Sequence, residues 1–588
     1  MQGKKLNWLR FVFLMLNLGG TQLNLKGIFM PKITYNYDPI FIRLFKQALS
    51  FIWKTIVWGI GGVGRLVVVL ILFSLIGSFL APTLPHRSIL TIDLGYGVSE
   101  HASAMNLLDD SAPYVGHILS AQIEAAATDD RVQGIVFYGD HMPIDLSTVQ
   151  ELLSALDTYH TSGKKSYFYA RAIGGGIGSG WMEYYFASHC SEVVLTPVGQ
   201  INFLGIAAEK PFVKELFDDL GVTPEFSSRH EYKTAADMYR RKKMSTSDRE
   251  NTLSLIKNLY AQMPLPSTQI GIIFAQNALK NKLVNRLAYF DGFKSGLEHE
   301  LDAEFVEIDL LGVDPEIGDR DIAVLILDGV IMPDSLDDDT GFITPSFVRH
   351  SLKDIQSRGS DALVVRVNSP GGDYIASDEI YHMLMALDMP IIISQGSVAA
   401  SGGYFISIAG DTIVANPATI TGSIGVVGGK FHLQKLMKKW GINVSRETVG
   451  PLAGFESAAF PMTSAQRKSF DQSLDVIYED FTSKVSVARH MTPTQLDKLA
   501  RGRVFTGKQA KANGLVDALG GLDTAIGFAK NALKLDKETS VSLTYYAPQD
   551  HGMGLIRSLL TTHLSIIQQF KLMTTTGQVQ MPMTKILY

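Results

Sequence analysis

A serine set among residues too small to hide it is the first candidate for chemistry in this chain. Ser401 stands between Ala400 and the pair Gly402-Gly403, after an apolar strand pattern at Pro390–Ile393 and before a helical pattern at Tyr404–Ala409. The first backbone N–H groups of a helix have no intrahelical partner and carry the positive end of its dipole. A hydroxyl placed there is open to substrate, and the N–H of Gly402 beside it could hold an oxyanion, which together are the needs of nucleophilic acyl transfer. The same residues suit a buried turn whose serine merely caps the helix. This stretch by itself leaves both readings open.

The elements that must position Ser401 come in two series. The first reads as strands at 88–95, 132–138, 165–170 and 193–195, with helices at 116–128, 146–159 and 211–220. The second reads as strands at 321–327, 362–367 and 390–393, with helices at 345–358 and 376–387. Strands alternating with helices of this length predict an α/β layer fold with a parallel sheet. Shifted by 220 residues, the series fall in register: Tyr184-Tyr185 lies on Tyr404-Phe405, Pro197 on Pro417, Gly205 on Gly425 and Gly221 on Gly441. We read this as an internal duplication. The glycine-rich turn at 174–180 aligns with the stretch before Ser401 and lacks the spacing of a nucleotide-binding loop.

The duplication exposes a division of labour. Trp181 stands where the second copy has Ser401, so the first copy lacks the serine; Lys233 stands opposite Ala453, so the second lacks the lysine. A serine needs a base, and no histidine lies within 395–425. A lysine can serve if desolvation lowers its pKa toward neutrality, although most lysines are simply solvated. If both residues serve one reaction, the site is assembled from the two halves.

Composition bounds the rest. A chain of 588 residues is too long for one core. A net charge of −5 and the lack of a basic-aromatic stripe predict no nucleic-acid role. Cys190 is the one cysteine, so no intrachain disulfide can form, and the 14 histidines show no metal-ligand spacing. Residues 66–81 hold no charge, and extended back through Ile56–Ile60 they are long enough to predict a single transmembrane helix over 56–82. Lys32, Arg43, Lys46 and Lys54 precede it against Asp38 alone, which predicts a cytoplasmic N-terminus and a translocated remainder. The expected organisation is a cytoplasmic segment 1–55, the anchor 56–82, repeats at 88–310 and 320–545, and a tail at 546–588 with an amphipathic helical pattern from Leu555 to Phe570.

Four stretches carry a resemblance: Arg366-Val-Asn-Ser-Pro-Gly-Gly372, Ala399-Ala-Ser-Gly-Gly-Tyr404, Thr421-Gly-Ser-Ile-Gly425 and Glu231-Tyr-Lys-Thr-Ala235. The chain resembles the signal peptide peptidase A family in its long, duplicated bacterial form, over roughly residues 55–545. The resemblance implies a tandem duplication of a Clp-protease/crotonase-like domain, and a serine protease working with a Ser/Lys dyad. Ser401 would be the nucleophile, Lys233 the general base and Ser423 the residue orienting the lysine amine; Gly372 would offer an oxyanion N–H, alongside Gly402. It further implies cleaved signal peptides as hydrophobic substrates, a site at the periplasmic face of the bacterial inner membrane, contact with lipid through 56–82 and a homotetramer. No cofactor or metal is called for. Thr234 stands where the family usually has serine, and Glu231 where glycine is common. Ser397, Ser369 and Ser407 remain alternative nucleophiles. A crotonase-like acyl-CoA enzyme and an inactive membrane scaffold are the rival functions.

Overall fold

Runs of branched apolar residues with no polar alternation form strands buried on both faces, the pattern of a parallel sheet. The computed structural model describes residues 84–102, 112–175, 178–263, 270–313, 317–334, 341–536 and 539–548, with the backbone of 586–587. These lie in one compact unit, Thr83–Tyr588.

In the first half, strands β1 (Ser88–Asp93), β2 (Val132–Tyr138), β3 (Lys165–Ala170) and β4 (Glu192–Leu195) join two short strands, β6 (Arg286–Leu287) and β7 (Glu304–Glu307). They form a six-stranded sheet, order β6-β4-β3-β2-β1-β7, with every pair parallel. Helices α1 (Leu146–His160) and α2 (Trp181–Ala187) make crossovers. The strand β5 (Thr223–Arg229) leaves this sheet.

The second half repeats the plan with β8 (Asp321–Asp328), β9 (Ala362–Ser369), helix α4 (Tyr374–Met385), β10 (Ile391–Ala400), β11 (Thr412–Ala415) and β12 (Ile420–Gly422). Strands β14 (Val504–Thr506), β15 (Ala518–Leu519) and β16 (Ser542–Tyr546) complete an eight-stranded sheet, parallel except where β14 meets β12. Along β8, Ala323, Leu325 and Leu327 pack into one core, and Ile322, Val324 and Ile326 into the core on the other face. Burying both sets is the main stabilising term of the sheet.

Shared hydrogen bonds repeat as well. Tyr184 donates to the Leu283 carbonyl at 2.9 Å and Tyr404 to that of Leu515 at 2.8 Å. The Val193 N–H donates to the Asn285 side chain and the Ile413 N–H to the Asp517 side chain, both at 2.8 Å.

Two elements differ from the sequence reading. The strand expected at 390–393 continues to Ala400, because Ile392–Gln395 pair with β11 and Val398–Ala400 then pair with β12. The helix read at 404–409 is α5 (Gly402–Ser407), beginning directly after Ser401.

The single transmembrane helix expected over 56–82 is corrected. Among the described residues no helix is long and apolar enough to cross a membrane. The longest of them, α6 (Ser464–Ala488), has the length but carries Arg467, Lys468, Asp471, Asp475, Glu479, Asp480 and Lys484, charges that hydrocarbon does not tolerate. Residues 1–55, 56–82 and the Leu555–Phe570 pattern lie outside the described residues. Lipid contact through 56–82, the single-pass inner-membrane location and the clearing of signal peptides at a periplasmic face all rested on that helix and are withdrawn with it.

The halves are joined by a buried ion cluster. Arg366 on β9, 3% exposed, reaches Glu100 at 2.8 and 2.9 Å and Glu151 of α1 at 2.7 and 3.2 Å, and donates to Ser394 at 3.1 Å. Removing the cation leaves two buried carboxylates facing each other without a counter-charge, Glu151 keeping only its 2.6 Å bond from Asn416. Arg366→Met is expected to cost about 3–5 kcal/mol of stability, read as a lower urea midpoint for the whole described unit.

Candidate active site

Ser401 is delivered by the end of β10 and the start of α5. Its backbone has φ +54° and ψ −117°, a conformation that L-residues rarely adopt. Its N–H donates to the Gly422 carbonyl on β12 at 2.9 Å, which holds the turn. The small neighbours are sterically required: a Cβ at Gly403 would lie 2.5 Å from the Ser369 carbonyl oxygen. Ser401 makes no side-chain cap to α5; its hydroxyl faces Lys233 instead.

Lys233 reaches the serine by crossing between halves. Strand β5 pairs antiparallel with β13 (Val426–His432), from Arg229↔Val426 to Thr223↔His432. The chain then turns so that Lys233 lies under Gly502. Helix α3 (Thr246–Ala261) docks on the second half: Asn251 accepts from the Val504 N–H at 3.3 Å, and Asn258 from Thr506 at 2.6 Å. The turn is clamped on its outer side. Arg501 grips Glu231 at 2.9–3.1 Å, and the Arg503 guanidinium sits 3.6 Å from the centre of the Tyr232 ring. Glu231 is thus engaged by Arg501. Thr234 donates to Asp248 at 3.2 Å, a role its hydroxyl shares with serine.

The Lys233 amine lies 2.9 Å from the Ser401 Oγ, 3.0 Å from the Ser423 Oγ and 2.8 Å from the Ser423 carbonyl oxygen. The residue is 4% exposed, and burial lowers its pKa from the usual 10.5 to about 7. Desolvation disfavours the ammonium, and no carboxylate is bonded to the amine to offset it. Ser423 holds the amine from a φ of +53°, with its own N–H donated to the Arg503 carbonyl at 2.6 Å.

Gly372 lies beside Ser401 on the other side. The Ile331 N–H donates to the Gly371 carbonyl at 3.0 Å, and the Asp373 N–H to the Ile331 carbonyl at 2.9 Å. These two bonds bracket Gly372, whose own N–H has no protein acceptor among the described residues. Gly402 opens α5, so its N–H likewise has no intrahelical partner. A Cβ at Gly402 would lie 3.2 Å from the Gly372 nitrogen, and one at Gly372 would lie 1.9 Å from the Ile331 oxygen. Both glycines line a cavity of about 390 Å³ with Ser401, Lys233, Phe455 and Phe481.

The alternative serines lie elsewhere. Ser397 accepts from Ser147 at 2.8 Å, Ser369 accepts the Gly371 N–H at 3.1 Å, and Ser407 donates to the Gly403 carbonyl at 2.7 Å. Gly371 belongs to the Ser-Pro-Gly-Gly turn whose glycines let the backbone approach a bound peptide; with φ +102°, a Cβ there would strike the Gly402 nitrogen at 2.6 Å. One residue of the site was missed. Gly502 contacts Lys233 from 269 residues away in sequence, and no local pattern marks it.

Comparison with known proteins gives the family of the chain. The model of peptidase family S49 matches residues 160–264 and 384–536, one stretch in each half. Protease 4 of Salmonella typhi is 30% identical over 478 residues, covering 75% of this chain and 75% of its own. The chain belongs to peptidase family S49. It is a serine protease, and the acyl-CoA enzyme and inactive-scaffold alternatives fall with that finding. A second relative, the chloroplastic serine protease SPPA of Arabidopsis thaliana, is 29% identical over 462 residues, 72% of this chain and 67% of its own. Among solved structures, a ClpP1 mutant of Listeria monocytogenes covers 34% of this chain and 94% of its own at 16% identity, with a TM-score of 0.25, too low to bear on the fold. The family match falls in both halves that carry the motifs, while among the described residues no helix is long and apolar enough to cross a membrane.

Two expectations follow. Gly502 has φ +88°, and a Cβ there would lie 2.3 Å from the Lys233 nitrogen. Gly502→Ala should displace the lysine and slow fluorophosphonate labelling of the folded protein roughly 100-fold. Lys233 also sets a pH term in stability. Below about pH 7 the native state must bury an ammonium, whereas above 10.5 the lysine is neutral folded or unfolded. Lys233→Met should therefore stabilise the protein most below pH 7, the gain shrinking as pH rises toward 10.5, measured by urea unfolding across that range.

Proposed function

We propose that this S49 serine protease cleaves peptides through a dyad of Ser401 and Lys233, with one member from each repeat. The observation that carries the reading is the 2.9 Å contact between a buried amine and a serine hydroxyl. A neutral amine has two N–H groups and one lone pair. Directed at the Ser423 carbonyl and hydroxyl, the N–H groups leave the lone pair facing Ser401. Lys233 takes the Ser401 proton as Oγ attacks the peptide carbonyl carbon. The Gly372 and Gly402 N–H groups hold the oxyanion. Lys233 then protonates the leaving amine, and water hydrolyses the acyl-enzyme with the lysine again as base. Ser423 orients the amine throughout. Phe455, Phe470, Leu474 and Phe481 line the cavity beside Ser401, which favours peptides with bulky apolar side chains.

Peptidase kcat/KM should rise with pH through about 7 and level above it, because only neutral Lys233 is a base. Lys233→Met should lower kcat by roughly 10²–10⁴-fold, and Ser401→Ala should abolish labelling by a fluorophosphonate. An acid limb unchanged in position with another residue responsible, or peptide cleavage by Lys233→Met at the wild-type rate, would sink the dyad.

A further inference from the structure

Lys430 lies on β13, 6% exposed, and also lines the cavity beside Ser401. It is not a second base. Its amine donates to three backbone carbonyls, of Phe455 at 2.9 Å, Ser457 at 2.7 Å and Phe460 at 3.0 Å. Three acceptors take all three N–H groups of an ammonium, so the charge is spent on the loop and not offered to substrate.

The loop 450–460 contains no helix or strand and bends at Gly450 and Gly454, with φ of +96° and +72°. Its own backbone bonds are few, and it is held from outside: Gln466 donates to the Leu452 and Ala453 carbonyls, Arg446 to that of Gly454, the Leu433 N–H to that of Ala458, and Lys430 to three carbonyls within 455–460. Phe455 on this loop rests against Phe470 of α6, ring centres 5.7 Å apart. Phe470 in turn lies over Gly428, where a Cβ would meet it at 3.0 Å. The chain of contacts runs from one ammonium, through a loop, to the aromatic wall of the cavity.

The first repeat holds a lysine at the equivalent position, 220 residues earlier. Lys210 bonds Asp248, the carboxylate that also accepts from Thr234, the neighbour of Lys233. The two copies thus use one inherited lysine to fix two different parts of the same site.

We infer that Lys430 is a positioning residue that sets the preference of the protease for bulky apolar side chains, by holding loop 455–460 so that Phe455 walls the cavity. The inference rests on the proposed reading that this cavity takes a substrate side chain. The test uses the full chain, a peptide series varied from Ala to Leu to Phe at the residue before the cut, and a small fluorophosphonate as a probe of Ser401. Lys430→Met is expected to lower the Phe-to-Ala ratio of kcat/KM roughly 10- to 100-fold, while phosphonate labelling falls far less. Phe455→Ala, which keeps the lysine, should reproduce the altered ratio, and the double variant should add little to it. Equal losses across the peptide series, an unchanged ratio in Phe455→Ala, or additive losses in the double variant overturn the inference. The Phe455→Ala arm decides it even if Lys430→Met does not fold. Failure of the dyad reading is distinct, because wild-type Ser401 would then take up no phosphonate.

Discussion

A buried lysine whose amine meets only one carbonyl and two hydroxyls, and no carboxylate, is held best when the amine sheds its charge and keeps its hydrogen bonds. Lys233 meets both conditions through Ser423 and Ser401. The rest of the described structure serves that arrangement. The ribbon of β5 with β13 carries the lysine out of its own half. Arg501 and Arg503 clamp the turn that bears it, and Gly502 gives it room. Such burial costs stability, and the structure accepts the cost where the uncharged amine is chemically needed.

Duplication explains how this was assembled. Both halves keep the parallel sheet, the tyrosine-to-carbonyl bond and the side chain that caps the following strand. In one half a bulky Trp181 fills the position of the serine and packs into the core against Phe203. In the other, the segment opposite Lys233 became the loop around Phe455. Neither half alone holds both groups, so the Arg366 cluster that joins them also conditions the chemistry.

The serine, the lysine and the paired glycines were readable because each sits in a small-residue or repeat-aligned pattern. The helices flanking the site were read only in part. The end of β10 was missed because its last residues, Gly396 to Ala400, offer only Val398 among small residues where a strand pattern needs several branched apolar side chains; a change of pairing partner makes them one. The membrane helix rested on hydropathy, flanking charge and the resemblance, and among the described residues no helix is long and apolar enough to cross a membrane.

Local pattern determined the alternation of strands and helices, the duplication, and which residues had the right chemistry. These follow from nearest neighbours along the chain, where burial periodicity and turn sterics act. Tertiary structure alone decided that the amine meets the hydroxyl at 2.9 Å within one chain, that Gly502 roofs the lysine and that Lys430 grips a loop. Each of those joins segments tens to hundreds of residues apart. Their meeting depends on how two sheets dock, which no local periodicity records.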